Sequence, residues 1–129
     1  MRICAVGALL LLLTGCGPEE GPLAEYLVAL PGSTVLPIEA EAPFIAAVDL
    51  RLEQPLDHED AAAGTFSQRI LIEHRGFERP VVLVTEGQNL GENQVAELAE
   101  IVGANQIRVE HRFTGDSVPE EMALSLIHI

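Results

Sequence analysis

The chain changes its hydrophobic rhythm several times, and each rhythm predicts an element. In "AVDLRLEQP", Val48, Leu50 and Leu52 alternate with Asp49, Arg51 and Glu53. A period of two is what a strand with one buried face requires. "DHEDAAAG" follows with turn-forming residues, and "TFSQRILIEHRG" resumes the alternation, with Phe66, Gln68, Ile70 and Ile72 on one face. The two segments read as an antiparallel pair. "PVVLVTEG" differs, because Val81 to Val84 is continuously apolar and mostly β-branched, the mark of a strand covered on both faces. In "ENQVAELAEIVGANQ", Val95, Leu98, Ala99 and Val102 take the i, i+3, i+4, i+7 spacing of a helix, and Gly103 is its stop. "IRVEHRF" returns as a strand. The order β, β, β, α, β predicts an α/β sheet with an antiparallel leading edge and a parallel β-α-β unit at its end.

The two ends of the chain follow other rules. "MRICAVGALLLLLTGC" has a basic start at Arg2, an apolar run from Ile3 to Leu13 and small residues before Cys16. The run is too short for a bilayer core of ~30 Å, which takes about 20 apolar residues, and it has the layout of a signal h-region. Leu13-Thr14-Gly15-Cys16 resembles a bacterial lipobox, which implies a signal peptide over 1–15 and a lipid on the Cys16 thiol. The plainer alternative is an ordinary signal peptide with a chance cysteine. A lipid would hold the mature chain to a membrane without a spanning helix and place it in the cell envelope, outside the cytoplasm. Cys4 and Cys16 are the two cysteines, so the mature chain has no disulfide to form. Residues 16–45, rich in Pro, Gly, Ala and Glu, read as the acylated cysteine and a tether. Within them "LAEYLVALPG" has room for one or two helical turns before Pro31. At the other end "LSLIHI" is apolar and unpatterned. It is the translation of what resembles a transposon-type sequencing adapter, so residues 124–129 are set aside and the folded region is expected over 46–123.

A formal charge of −13 argues against nucleic acid, whose phosphates require a basic footprint. Sequence motifs give no P-loop and no dinucleotide-binding glycine turn, so no cofactor is expected. His58 with Glu59 and Asp60, His74 and His111 supply metal-ligating side chains but no recognised ligand spacing. His74 and His111 each sit in a Glu-His-Arg triplet, where pairing with neighbouring charges is the ordinary reading, and no metal is expected.

Longer words sharpen the reading. Gln54-Pro55-Leu56-Asp57-His58, Thr65-Phe66-Ser67-Gln68-Arg69, His74-Arg75-Gly76-Phe77, Val84-Thr85-Glu86-Gly87 and Glu110-His111-Arg112-Phe113 with Gly115 and Ser117 resemble, in order and spacing across residues 47–119, the bacterial secreted serine peptidases of the S37 (PS-10) family of tripeptidyl aminopeptidases. The resemblance implies the N-terminal part of an α/β-hydrolase fold, truncated before its catalytic triad, acting on peptides with free N-termini. Gln88 and Thr114 stand where aromatics are common in such sequences, a departure that bears on substrate preference.

Ser117 invites assignment as a nucleophile. A nucleophile elbow needs G-x-S-x-G, whereas the sequence is Gly115-Asp116-Ser117-Val118-Pro119, so Ser117 reads as a loop residue. In this fold the triad follows in the order Ser, Asp or Glu, His, and the resemblance puts all three beyond the 129 residues. The part left to this chain is an oxyanion-hole donor from the loop after the third predicted strand. Gln88 N–H is the candidate donor, with Gly87 allowing the turn, and Glu86 is a candidate partner for a substrate ammonium. Two further readings stay open: a small acidic non-catalytic envelope lipoprotein, and an esterase or lipase on the same fold.

Overall fold

In a computed structural model of the protein, residues 22–87, 89–91 and 94–119 are described. Their elements are α1 (Pro22–Val28), β1 (Ser33–Ile38), β2 (Ala46–Pro55), a single 3-10 turn (Ala61–Ala63), β3 (Thr65–His74), β4 (Val81–Glu86), α2 (Glu97–Val102) and β5 (Asn105–Glu110). The five strands form one mixed sheet in the order β1-β2-β3-β5-β4. β1 to β3 and the β3–β5 pair are antiparallel, and β4 and β5 are parallel. This is an α/β architecture with an antiparallel side and a β4-α2-β5 crossover, as the alternation predicts.

Period-two alternation gives the sheet two unlike faces. On one, Val48, Leu50 and Ile72 are buried, and Val35, Ile70 and Ile107 pack against them. Leu23 and Leu27 of α1, one helical turn apart, close over this cluster. A seven-residue helix is too short to persist alone, so this apolar contact is what holds it. The other face carries Asp49, Glu73, Gln106 and Arg108, of which Gln106 and Arg108 are fully buried, Asp49 is buried and Glu73 is half-buried. The β2–β3 connection uses its aspartates as turn acceptors: Asp57 Oδ1 accepts from Glu59 N at 2.8 Å, and Asp60 Oδ1 from Ala62 N at 2.9 Å.

Three expectations are revised. First, α1 and β1 lie inside the stretch read as tether, so the described fold starts well before residue 46. "STVLPI" hides its strand behind Pro37, which a strand at the sheet edge tolerates. Second, among the described residues β4 is not covered on both faces. It lies at the edge of the described sheet, and Val81 and Leu83 are 56% and 64% exposed. Third, α2 is six residues long and starts at Glu97. Ala99 is fully buried, yet Leu98 and Val102 are 58% and 45% exposed. The cause is upstream: Gln94 O and Ala96 N are bound by the Gln106 side chain, which holds Ala96 extended at φ −65°, ψ 132° and keeps residues 94–96 out of the helix. The predicted stop does act as one. Gly103 adopts φ 63°, and its N–H closes the last turn on the carbonyls of Ala99 and Glu100.

Candidate functional site

In a parallel β-α-β unit, ligands meet the carboxyl ends of the strands, here Glu86 of β4 and Glu110 of β5, whose Cα atoms are register partners. The chain leaving β4 does not enter a helix at once. Among the described residues between Glu86 and Glu97, the backbone groups have neither a strand ladder nor a helix to satisfy them. Leaving such groups buried and unpaired costs about 1–3 kcal/mol each.

The partners come from alternate residues of β5. Gln106, Arg108 and Glu110 share one face of the strand and are 0%, 2% and 0% exposed. Gln106 Oε1 accepts from Ala96 N at 2.6 Å, and its Nε2 donates to Gln94 O at 2.7 Å. Arg108 Nη1 donates to Gly91 O at 2.7 Å. Glu110 Oε1 accepts from Leu90 N at 3.2 Å. Buried polar groups need partners of their own, and Glu73 supplies one to the two inner members. Its Oε2 accepts from Gln106 Nε2 at 2.7 Å and from Arg108 Nε at 3.2 Å.

Glu110 also builds the loop that follows β5. Its Oε2 accepts from Asp116 N at 3.0 Å and from Ser117 Oγ at 2.7 Å. Gly115 lies against the same carboxylate at φ 51°, and a Cβ there would overlap Glu110 Oε1, so only glycine fits. Ser117 is fully buried. Its hydroxyl donates to Glu110 and accepts from Arg69 N at 2.9 Å, so both its hydrogen-bonding roles are spent on folding the loop. Asp116 then ties the loop to the antiparallel side of the sheet. Its Oδ2 takes Arg51 Nη2 at 3.0 Å and Arg69 Nη1 at 3.5 Å, while Asp49 pairs with Arg69 Nε at 2.9 Å and with Arg51 Nε at 3.3 Å.

The sequence-predicted residues fall around this frame. Glu86 is half-buried at the end of β4, and its carbonyl accepts from His111 N at 3.0 Å. No ion pair holds its side chain among the described residues. Gly87 is exposed, its φ is not left-handed, and a Cβ there would meet open space. Glycine's freedom is therefore not what this turn draws on, and the backbone at 87 is unobstructed. Gln88 and Cys16 lie outside the described residues. Instead of the expected pairing with charges, the contacts shown among the described residues are these: His74 is buried with its ring 4.6 Å from that of Phe77, and His111 is exposed with Nδ1 3.2 Å from Arg112 O. Among the described residues no group of three or more His, Cys, Asp or Glu side chains is arranged to hold a metal.

Sequence reasoning left Gln106, Arg108 and Glu110 out of the site, because alternation with Ile107 and Val109 reads as a polar face turned to water. It also left out Arg112, whose guanidinium lies over Phe66 and Phe113 at 5.0 and 4.9 Å and donates to Leu56 O at 2.9 Å.

The loops after β4 and β5 thus meet at the carboxyl ends of these strands through Glu110, while the His74–Phe77 segment lies at the opposite end, where Gly76 bonds the Asn105 side chain. The sequence profile described as PS-10 peptidase S37 matches residues 18–129. The chain belongs to the PS-10 peptidase S37 family. The match agrees with the resemblance carried by residues 47–119. Among curated proteins, the S37 chain is 38% identical over 77 residues to a prolyl tri/tetrapeptidyl aminopeptidase of Streptomyces mobaraensis. That alignment covers 59% of the chain and 16% of the relative. No solved structure matches the chain.

Replacing Ser117 by Ala removes a buried donor from Glu110 and an acceptor from Arg69 N. It is expected to destabilise the fold by about 1–3 kcal/mol, read from a denaturant midpoint. In the complete protein it should leave active-site labelling by a fluorophosphonate intact. Loss of labelling in a folded variant would make Ser117 a nucleophile after all.

Proposed function

We propose that this chain is the N-terminal part of a lipid-anchored serine exopeptidase on an α/β-hydrolase fold, releasing short peptides from free N-termini. The observation that carries the proposal is the connection after β4. It begins at the carboxyl end of the first parallel strand, in a chain of a peptidase family, and buried side chains of β5 bond its backbone at Leu90, Gly91, Gln94 and Ala96. The order of an antiparallel opening followed by a parallel β-α-β unit supports the same fold.

In acyl transfer, a serine attacks the scissile carbonyl, a histidine takes its proton and returns it to the leaving amine, and the carbonyl oxygen becomes an oxyanion. The triad lies outside these 129 residues in this reading. On the same reading the chain supplies the backbone N–H of Gln88, a residue outside the described ones, as an oxyanion donor. One such donor is worth about 2.7–4 kcal/mol of transition-state stabilisation, provided it is already in place when the charge develops. Glu86, half-buried at the end of β4 and without an ion pair among the described residues, is placed to take the substrate's ammonium group. Cys16 carries the lipid and holds the enzyme at the envelope membrane, where peptides are its partners. No helix among the described residues is long and apolar enough to cross a membrane.

The complete protein is expected to hydrolyse tripeptide amides with a free amino terminus and to leave the N-acetylated forms nearly untouched, while the 129 residues alone turn over neither. Equal hydrolysis of both forms would end the exopeptidase reading, and hydrolysis of simple esters alone would favour an esterase. Glu86→Gln should raise KM for free-amine substrates about tenfold or more, since the bond to a charged group is worth about 1.5–3 kcal/mol, with kcat little changed. An unaltered KM removes the residue from the amine site. Cells fed a labelled fatty acid should label the wild-type chain and not Cys16→Ser, and equal labelling would contradict the anchor.

A further inference from the structure

The register gives the sheet two unlike ends. Glu86 and Glu110 close β4 and β5 at the end of the candidate site. At the other end Ile38 pairs with Ala47, Ala46 with His74, and Glu73 with Gln106. The ten residues of β2, at a strand's rise per residue, separate the two ends by about 30 Å. The far end is apolar and uncovered: Tyr26, Ile45 and Phe77 are 69%, 73% and 57% exposed. They are nonetheless held in place. The Phe77 ring lies 4.6 Å from that of buried His74 and 5.6 Å from that of Tyr26, and Ile45 N donates to His74 O at 2.8 Å. Leu23, Ile38, Ile45 and Phe77 line one groove. The chain enters the described fold at this end, because Leu23 lies in the groove, whereas Leu27 O and Leu30 O accept from Ser33 Oγ at the start of β1, toward the site.

We propose that this end is a membrane-contact surface: Tyr26, Ile45 and Phe77 enter the interfacial layer of the bilayer that holds Cys16, and the candidate site faces away from it. The proposal rests on the reading of Cys16 as the lipid anchor. Five residues, 17–21, lie between Cys16 and Pro22, and a chain of that length extends no further than about 22 Å by any path. The apolar end therefore stays within reach of the headgroups, and the site edge stands about 30 Å beyond it. A tyrosine, with an apolar ring and a polar hydroxyl, suits the headgroup level, and Ile45 and Phe77 gain by leaving water. Attraction to anionic lipid is not the source of the contact, since exposed Glu25, Glu39 and Glu78 flank it against exposed Arg79. The contact is apolar, so salt does not weaken it. An anchor that tethers and a surface that orients divide the work, and soluble peptides reach the site from the side away from the membrane.

The test compares amide hydrogen exchange in two forms of the complete protein: the lipidated wild type on phosphatidylcholine vesicles, and Cys16→Ser free in solution. The expected result is slower exchange on vesicles in residues 22–28, 38–47 and 74–80, with residues 105–117 unchanged. The Cys16→Ser protein should also co-sediment with the same vesicles at low and high salt alike. Adding Tyr26→Ser and Phe77→Ser to it should lower that partitioning about tenfold or more and leave kcat on a soluble tripeptide amide unaltered. Lipidated protein on vesicles with none of the three segments protected overturns the surface and leaves the anchor standing. Equal protection in both forms overturns it as well, since the rest of the chain or a second copy then covers this end, and sedimentation velocity tells which. A wild type that takes no lipid counts against the anchor reading alone. Co-sedimentation of the Cys16→Ser protein still decides the surface: binding that the two serines abolish supports it, and no binding overturns it. A serine variant that does not fold is replaced by Ile45→Ser, with the same outcomes.

Discussion

A backbone that crosses a sheet outside any ladder or helix must still find partners for its amides and carbonyls, and here that demand falls on one strand. β5 answers it with Gln106, Arg108 and Glu110, side chains that would be poor choices for a buried face if the loop were not lying on them. Loop and strand therefore explain each other. Without the loop the three polar groups are buried for nothing, and without them the loop has no reason to keep one path. The short α2 is a product of the same arrangement, since residues 94–96 are bound to Gln106 and cannot wind into the helix.

Glu110 extends this logic past the end of the strand. One carboxylate gathers Leu90 from the loop before α2 and Asp116 and Ser117 from the loop after β5. The two connections that flank the carboxyl ends of β4 and β5 are thereby built as one piece. Asp116 carries the connection on to Arg51 and Arg69, so the site edge is braced against the antiparallel strands. Ser117, which looks like chemistry in the sequence, is part of that brace.

The strands were legible because alternation is a direct consequence of strand geometry. Val48, Leu50 and Ile72 lie in the core where their period placed them. Legibility failed where a residue's partner is distant or is backbone. Nothing in "NQIRVE" distinguishes polar side chains facing water from polar side chains facing a loop, and the loop's carbonyls have no signature. Pro37 hid β1 because proline argues against a strand unless the strand is known to be an edge. The continuous apolar run of β4 was read as doubly covered, while among the described residues its outer positions Val81 and Leu83 face outward. For the site, the sequence nominated the loop after β4 and read Ser117 as a loop residue, which its buried bonds to Glu110 and Arg69 match. It could not find Arg108, whose importance lies in what rests upon it.

The most direct measurement is a crystal structure of the complete peptidase with a peptidyl phosphonate bound covalently to its nucleophile. The phosphonyl oxygen that stands for the oxyanion is expected about 2.7–3.1 Å from a backbone N–H in the 87–89 segment, with Arg108 bonded to Gly91 O beneath it and Ser117 untouched. An adduct on Ser117, or an oxyanion held by donors from elsewhere while this loop stands clear, would contradict the account.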